Sequence, residues 1–134
     1  MSAASFFVPG IPAPQGSKTG YVVGGRAVVV DKNPAVLKPW RVAIAAYASN
    51  YRVDPGPVQV ALIFVMPRPK RPKYPVPATK PDIDKLVRAV LDGLVQGKLI
   101  EDDSLVVSLI ASERYSTEES IPGVHIAVQP IGAT

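Results

Sequence analysis

The sequence predicts an α+β domain with a mixed β-sheet and two helices, in the order β-β-β-α-β-α-β-β. Three observations lead there. Short alternating apolar runs bounded by Pro and Gly recur along the chain, two longer segments carry apolar residues at three- and four-residue spacing, and no unit repeats. With 134 residues, 47% of them apolar and 19% charged, the chain can bury one core and is too apolar to be disordered, so residues 1–134 read as a single domain.

The elements follow in order. "SFFVPG" is a first short strand stopped by Pro9 and Gly10, and "IPAPQGSKTG" is a Pro/Gly-rich loop. "YVVGGRAVVVD" places two apolar runs around Gly24-Gly25, a hairpin signal, because both central positions of a tight hairpin turn favour residues that tolerate positive φ. From Ala35 to Tyr51 the pattern is helical: Leu37, Trp40, Ile44, Tyr47 and Ala48 share a face, with Asn33-Pro34 as the start. "PVQVALIFVMP" sets Val58, Val60, Leu62, Phe64 and Met66 on one face and mostly apolar residues on the other, as an interior strand requires. Residues 67–81, "PRPKRPKYPVPATKP", hold six prolines and five basic residues; such a segment cannot join a sheet or continue a helix, and reads as an extended, partly mobile arm. Ile83, Leu86, Val87, Val90, Leu91 and Leu94 then form the stripe of a second helix ending near Gly97. "SLVVSLIASERYS" and "PGVHIAVQPI" close the domain as two strands around the polar turn "TEESIPG", with Glu113 and Arg114 exposed near the end of the first.

Composition narrows the chemistry. A net charge of +4 favours polyanionic partners. The absence of cysteine excludes disulfides and thiolate metal sites. The one histidine, His125, lies in the alternating run "VHIAV" and reads as a strand residue, which leaves little prospect of a Ser-His-Asp triad. Neither an export signal nor a run of about 18 apolar residues is present, so a cytoplasmic protein of a bacterial or phage-infected cell, with no membrane partner, is expected.

Against this cationic background stands an acidic island. From Pro81 to Asp103, Asp82, Asp84, Asp92, Glu101, Asp102 and Asp103 face only Lys85, Arg88 and Lys98. Crowded like charges are destabilising unless something neutralises them. The structural explanation is that Asp82 and Asp84 cap a helix, Asp84–Arg88–Asp92 is an i, i+4 ladder, and "EDDS" is a polar turn. The chemical explanation is a hard divalent cation, which takes carboxylate oxygens, water and substrate phosphate. Two aspartates one residue apart at a helix entry can face one ion, and a third carboxylate from elsewhere completes a set for phosphoryl chemistry. The segment "KLIEDD" reaches back to Asp84 only if it runs nearly straight and antiparallel to the helix; otherwise the third carboxylate comes from a second subunit.

At these residues the chain resembles the RusA family of Holliday junction resolvases, the crossover junction endodeoxyribonucleases. The similarity rests on "KPDIDKLVRAVLDGL" followed by "EDDSLVV", and extends more weakly to "VPGIPAPQGS" and "QVALIFVMP". It implies a RusA-like homodimeric fold and a homodimer that makes paired symmetric nicks in four-way DNA with Mg²⁺, or Mn²⁺ in its place, in recombination and repair. It also implies Asp82, Asp84 and Asp103 as metal ligands; Asp102, next to Asp103, is a candidate auxiliary on its position alone. The family's essential lysine falls on Arg88, which can stabilise phosphate charge but does not readily give up a proton. Lys85 stands where the family often has asparagine.

The remaining basic residues supply DNA contacts. Lys70, Arg71, Lys73 and Lys80 of the arm, with Lys85 and Lys18, suit backbone phosphates; Ser17 and Arg26 are further contacts and Tyr74 can stack on a base. The layout of a nucleotide P-loop is missing, so no nucleotide cofactor is expected. Two other readings compete: a non-catalytic basic nucleic-acid-binding dimer whose acidic cluster is structural, and a different phosphoryl-transfer enzyme.

Overall fold

The computed structural model describes residues 2–16, 18–31 and 34–132. Ser17 and Asn33 lie outside the described residues, as do the side chains of Lys18 and Tyr21. The element order matches the expected one: β1 (Ala4–Pro9), β2 (Lys18–Val23), β3 (Arg26–Asp31), α1 (Pro34–Ala48), β4 (Val58–Met66), α2 (Ile83–Gln96), a 3₁₀ turn (Asp103–Leu105), β5 (Val106–Tyr115) and β6 (Gly123–Pro130).

Four strands form a mixed sheet in the order β1-β6-β4-β5, and β2 and β3 form a separate hairpin turned by Gly24 and Gly25, both at positive φ. β6 pairs antiparallel with β1 and β4, whereas β4 and β5 run parallel. A parallel pair needs a crossover, and α2 supplies it. The period-2 pattern of β4 places Val58, Val60, Leu62, Phe64 and Met66 in the core, where they meet Leu37, Trp40 and Ile44 of α1 and Leu86, Val90 and Leu94 of α2. Both helices therefore cover one face of the sheet.

The helices approach closely because α2 lacks side chains where they cross. A Cβ on Gly93 would lie 2.6 Å from Ile44 Cγ2, and one on Gly97 would lie 2.5 Å from the Ala45 carbonyl oxygen. α1 ends at Ala48, three residues short of the expected Tyr51, whose ring stacks on Phe6 with centroids 4.5 Å apart.

One expectation needs correction, and it follows from the arm at 67–81, which has no helix or strand, as its prolines dictate, and packs in part against the domain. Pro77 is buried, and Pro67, Arg68, Pro69, Thr79, Lys80 and Pro81 wall a cavity of about 520 Å³ against Ile11–Pro14 and the end of β5. Glu113, expected to be exposed, is half-buried in that wall, because the arm folds across the strand end on which it stands.

Candidate active site

β4, α2 and β5 form a strand–helix–strand unit. In such units the crevice beyond the carboxyl ends of the strands is a natural ligand site, since loops diverge there and the helix N-terminus points its free N–H groups and positive dipole end into it. Here that end gathers Met66 and Tyr115, paired in register, the basic arm, and the start of α2.

Asp82 is the N-cap residue of α2 by backbone geometry, with φ −69° and ψ 143°, but its side chain makes no capping hydrogen bond. Asp84 sits in the first turn, and both are exposed. The capping role that would explain Asp82 structurally is thus not taken up by its carboxylate. Opposite it stands Glu113, in register with Phe64 on the helix-covered side of the sheet. Glu113 Oε1 is buried without a hydrogen-bond partner. Burial, and behind it the Asp82 carboxylate, push the Glu113 carboxyl above its ordinary value. Glu113 is the site residue that sequence reasoning missed.

Gln15 fixes the N-terminal loop to the same helix. Its backbone N–H donates to the Lys85 carbonyl at 2.9 Å, its side-chain amide donates to Asp92, and its Oε1 accepts from Arg41 at 3.1 Å. Asp92 is therefore held by Gln15. The loop ends at Gly16, at φ 99°, where an added Cβ would lie 3.2 Å from Arg88 Nη1. That close approach lays the exposed Arg88 guanidinium against the loop, one helical turn beyond Asp84.

Asp103 is elsewhere. After α2 the chain takes a left-handed residue, Lys98 at φ 63°, and the N–H of Leu99 donates back to the Leu94 carbonyl at 3.0 Å. Leu99 and Ile100 are buried, which turns "KLIEDD" under the end of the helix instead of back along it. Leu105 shares a second cavity with Val95, Lys98 and Leu99, so the 3₁₀ turn lies at the C-terminal end of α2. Twelve of the helix's 14 residues follow Asp84, which puts the turn about 18 Å away along the axis. Among the described residues no three His, Cys, Asp or Glu side chains are placed to hold one metal ion within the protomer. Asp102 is the N-cap of the 3₁₀ turn; the Ser104 hydroxyl and N–H both donate to it and hold its carboxyl below the ordinary value.

Of the basic residues named from sequence, Lys80 and Lys85 flank Asp82 in a small cleft closed by Pro81. Lys70, Arg71 and Lys73 are exposed on the arm, with Lys73 Nζ 5.6 Å from the centroid of the Tyr74 ring. Arg26 is exposed on the hairpin.

Comparison with known proteins decides the relationship. Residues 9–129 match the family model described as "Endodeoxyribonuclease RusA". The chain belongs to the RusA family. The RusA family is one of endodeoxyribonucleases that act on branched DNA junctions, so the fold above is that of a nuclease family. The chain is also similar to an "Uncharacterized protein YqaN" of Bacillus subtilis (strain 168), 32% identical over 148 residues that cover 99% of this chain and all of the relative. Among the described residues no helix is long and apolar enough to cross a membrane.

Proposed function

We propose that this protein is a Mg²⁺-dependent, structure-selective endodeoxyribonuclease that resolves four-way DNA junctions as a homodimer, by paired symmetric nicks, in recombination and repair. One observation carries the reading: Asp82 and Asp84 stand exposed at the N-terminal end of α2, with the unpartnered Glu113 oxygen on the neighbouring strand end and Lys80 and Lys85 beside Asp82, in a chain of the RusA family.

The donor set fits a hard cation. It is made of oxygens alone, and a buried carboxylate oxygen without a hydrogen-bond donor beside a second carboxylate is the arrangement a divalent ion neutralises. Asp82, Asp84 and Asp103, the last from a second subunit, would hold it. Bound there, Mg²⁺ supplies Lewis acidity at the scissile phosphate and lowers the pKa of an attacking water. Arg88 stays protonated throughout and steadies the charge that builds on phosphorus, a task suited to guanidinium even where proton donation is not. Lys80 and Lys85 beside Asp82 seat the backbone phosphate, and Lys70, Arg71 and Lys73 follow the strand outward.

The test is incubation of the protein with a labelled synthetic four-way junction and Mg²⁺ or Mn²⁺. Symmetric nicks leaving 3′-hydroxyl and 5′-phosphate ends are expected, with linear duplex cut far less. Asp84→Asn should abolish cutting and leave junction binding equal or tighter, because one negative charge near the phosphates is gone. Junction binding without cleavage in either ion would instead identify a non-catalytic binding protein.

A further inference from the structure

The cavity between the arm and the end of β5 has a composition that the acidic cluster does not explain. Its volume, about 520 Å³, falls within the range of pockets that hold small ligands, about 300–1,000 Å³. Pro12, Pro14, Pro67, Pro69, Pro77 and Pro81 stand in its wall, and Tyr115 adds an aromatic ring. Proline has a rigid ring and no backbone N–H. Such a wall is apolar, poor in hydrogen-bond donors and already ordered before a ligand arrives.

Two kinds of charge interrupt that wall. Glu113 is its one acid, and Glu113 Oε1 is buried with no hydrogen-bond partner. Burial is the larger cause that raises this carboxyl and the Asp82 carboxylate the smaller, so a cation beside Asp82 relieves only the lesser part. What stays unmet is a donor, and prolines do not provide one. The terminal torsion of a glutamate is soft, so the carboxylate of this lining residue can turn an oxygen toward a ligand. Arg68 and Lys80 are the cations of the wall, and both are exposed. Lys80 and Pro81 also line the small cleft of Asp82 and Lys85, so the cavity adjoins the acids at the start of α2.

The ligand that matches these features is flat and largely apolar, brings an amino group and is joined to a phosphate. A DNA strand offers one at every nucleotide except thymidine, whose base has no exocyclic amine. Inside a duplex that base is stacked and paired, but extrusion costs least where pairing is already interrupted, as at a branch point.

We propose that this cavity takes one nucleobase extruded beside the branch point, with its exocyclic amine donating to Glu113, its rings against the proline wall and its phosphate on Arg68 and Lys80. The chemistry of the pocket stands by itself; that the base comes from a junction strand rests on the nuclease reading.

Nucleotide binding to the full chain tests the pocket without cleavage. Deoxyadenosine, deoxycytidine and deoxyguanosine 5′-monophosphates should shift the methyl resonances of Val36 and Met66, which line the cavity. Thymidine 5′-monophosphate should bind about fivefold more weakly, the worth of one hydrogen bond. Glu113→Ala should erase that difference, and Thr79→Trp, at an exposed position of the wall, should block all four. Equal affinity of the wild type for the four nucleotides overturns the contact to Glu113, and unmoved Val36 and Met66 resonances overturn the pocket.

The chain has no cysteine, so a single one reports cleanly. In an Asp84→Asn background that holds the junction uncut, Thr79→Cys should form a disulfide with a thioethyl arm on the exocyclic amine of a base at one position beside the branch point. Lys70→Cys, further out on the arm, should not link to that base. Linking at no position, or equally at all of them, while the junction stays bound overturns extrusion. A protein that takes up the amino nucleotides and cuts no junction would refute the nuclease alone; one that cuts junctions with the cavity empty of nucleotide would refute this inference alone.

Discussion

The two ends of α2 are built on opposite plans. At its start, Asp82 and Asp84 are exposed, Asp82 caps nothing with its side chain, and the Glu113 oxygen beside them is buried without a donor. At its finish, Leu99 and Ile100 are buried under the helix, the backbone folds back onto Leu94, and Asp102 is satisfied by Ser104. One end leaves polar groups unmet and the other meets them. Unsatisfied buried polar groups cost stability, and sites that bind charged ligands are where such costs are retained. The contrast separates an end built for stability from the end where the proposed chemistry lies.

That contrast can be broken most sharply at the finishing end. Leu99→Ala removes a buried anchor and should lower stability by about 2–5 kcal/mol, read as a fall in the urea midpoint. A loss below about 1 kcal/mol would mean that this end is not the anchor described, since removing a well-packed leucine costs more.

A smaller effect is expected on the arm. Replacing Lys70, Arg71 and Lys73 together by Ala should leave the melting temperature unchanged and weaken junction binding. If each meets one phosphate, the slope of log K against log salt should fall by about 3, measured by anisotropy across a salt series. An unaltered slope would remove the arm from the DNA surface.

Glu113→Gln should act in the opposite direction from Leu99→Ala. A carboxyl raised above its ordinary 4.5 binds its proton more tightly in the folded chain than in the unfolded one. Its stabilising contribution is therefore present at low pH and is lost as pH rises from 4.5 through the folded value. Glutamine does not ionise, so the variant should match wild type near pH 4 and be the more stable of the two at pH 7. Thermal melts across that range, with and without Mg²⁺, provide the check: the ion should narrow the gap, and a variant less stable than wild type at pH 7 would contradict the strained-carboxylate account.

The smallest change belongs to Asp102. Asp102→Asn keeps an acceptor for Ser104 and should cut junctions as wild type does. A loss of cutting as deep as that of Asp84→Asn would make Asp102 more than a cap.

Much of this architecture was legible in the sequence because periodicity records which face is buried. The five alternating residues of β4 and the stripe of α2 occupy the core as their spacing implies. The fate of "KLIEDD" was not legible. Its length permits a return to Asp84, and what decides against that is the burial of Leu99 and Ile100, a tertiary fact. Glu113 was hidden for a similar reason. In "ASERYS" it reads as one of two exposed charges at a strand end, and only the folding of a proline-rich arm across that end encloses it. Gln15 carried no chemical signal of its own; only the stretch "PQGS" in the N-terminal part of the family resemblance pointed to the loop it clamps.

The placement of β4 has a mechanical consequence. It is hydrogen-bonded to neighbours on both sides along nearly its whole length, so its amides should exchange with solvent only when the entire domain unfolds. The arm leaves directly from the end of that stiffest strand and is fixed again at the first turn of α2. If the arm meets DNA as proposed, its tethering at these two posts would let it adjust to a duplex without loosening the acids at the start of α2, so accommodation of shape and constancy of the reacting groups would fall to different stretches of one chain.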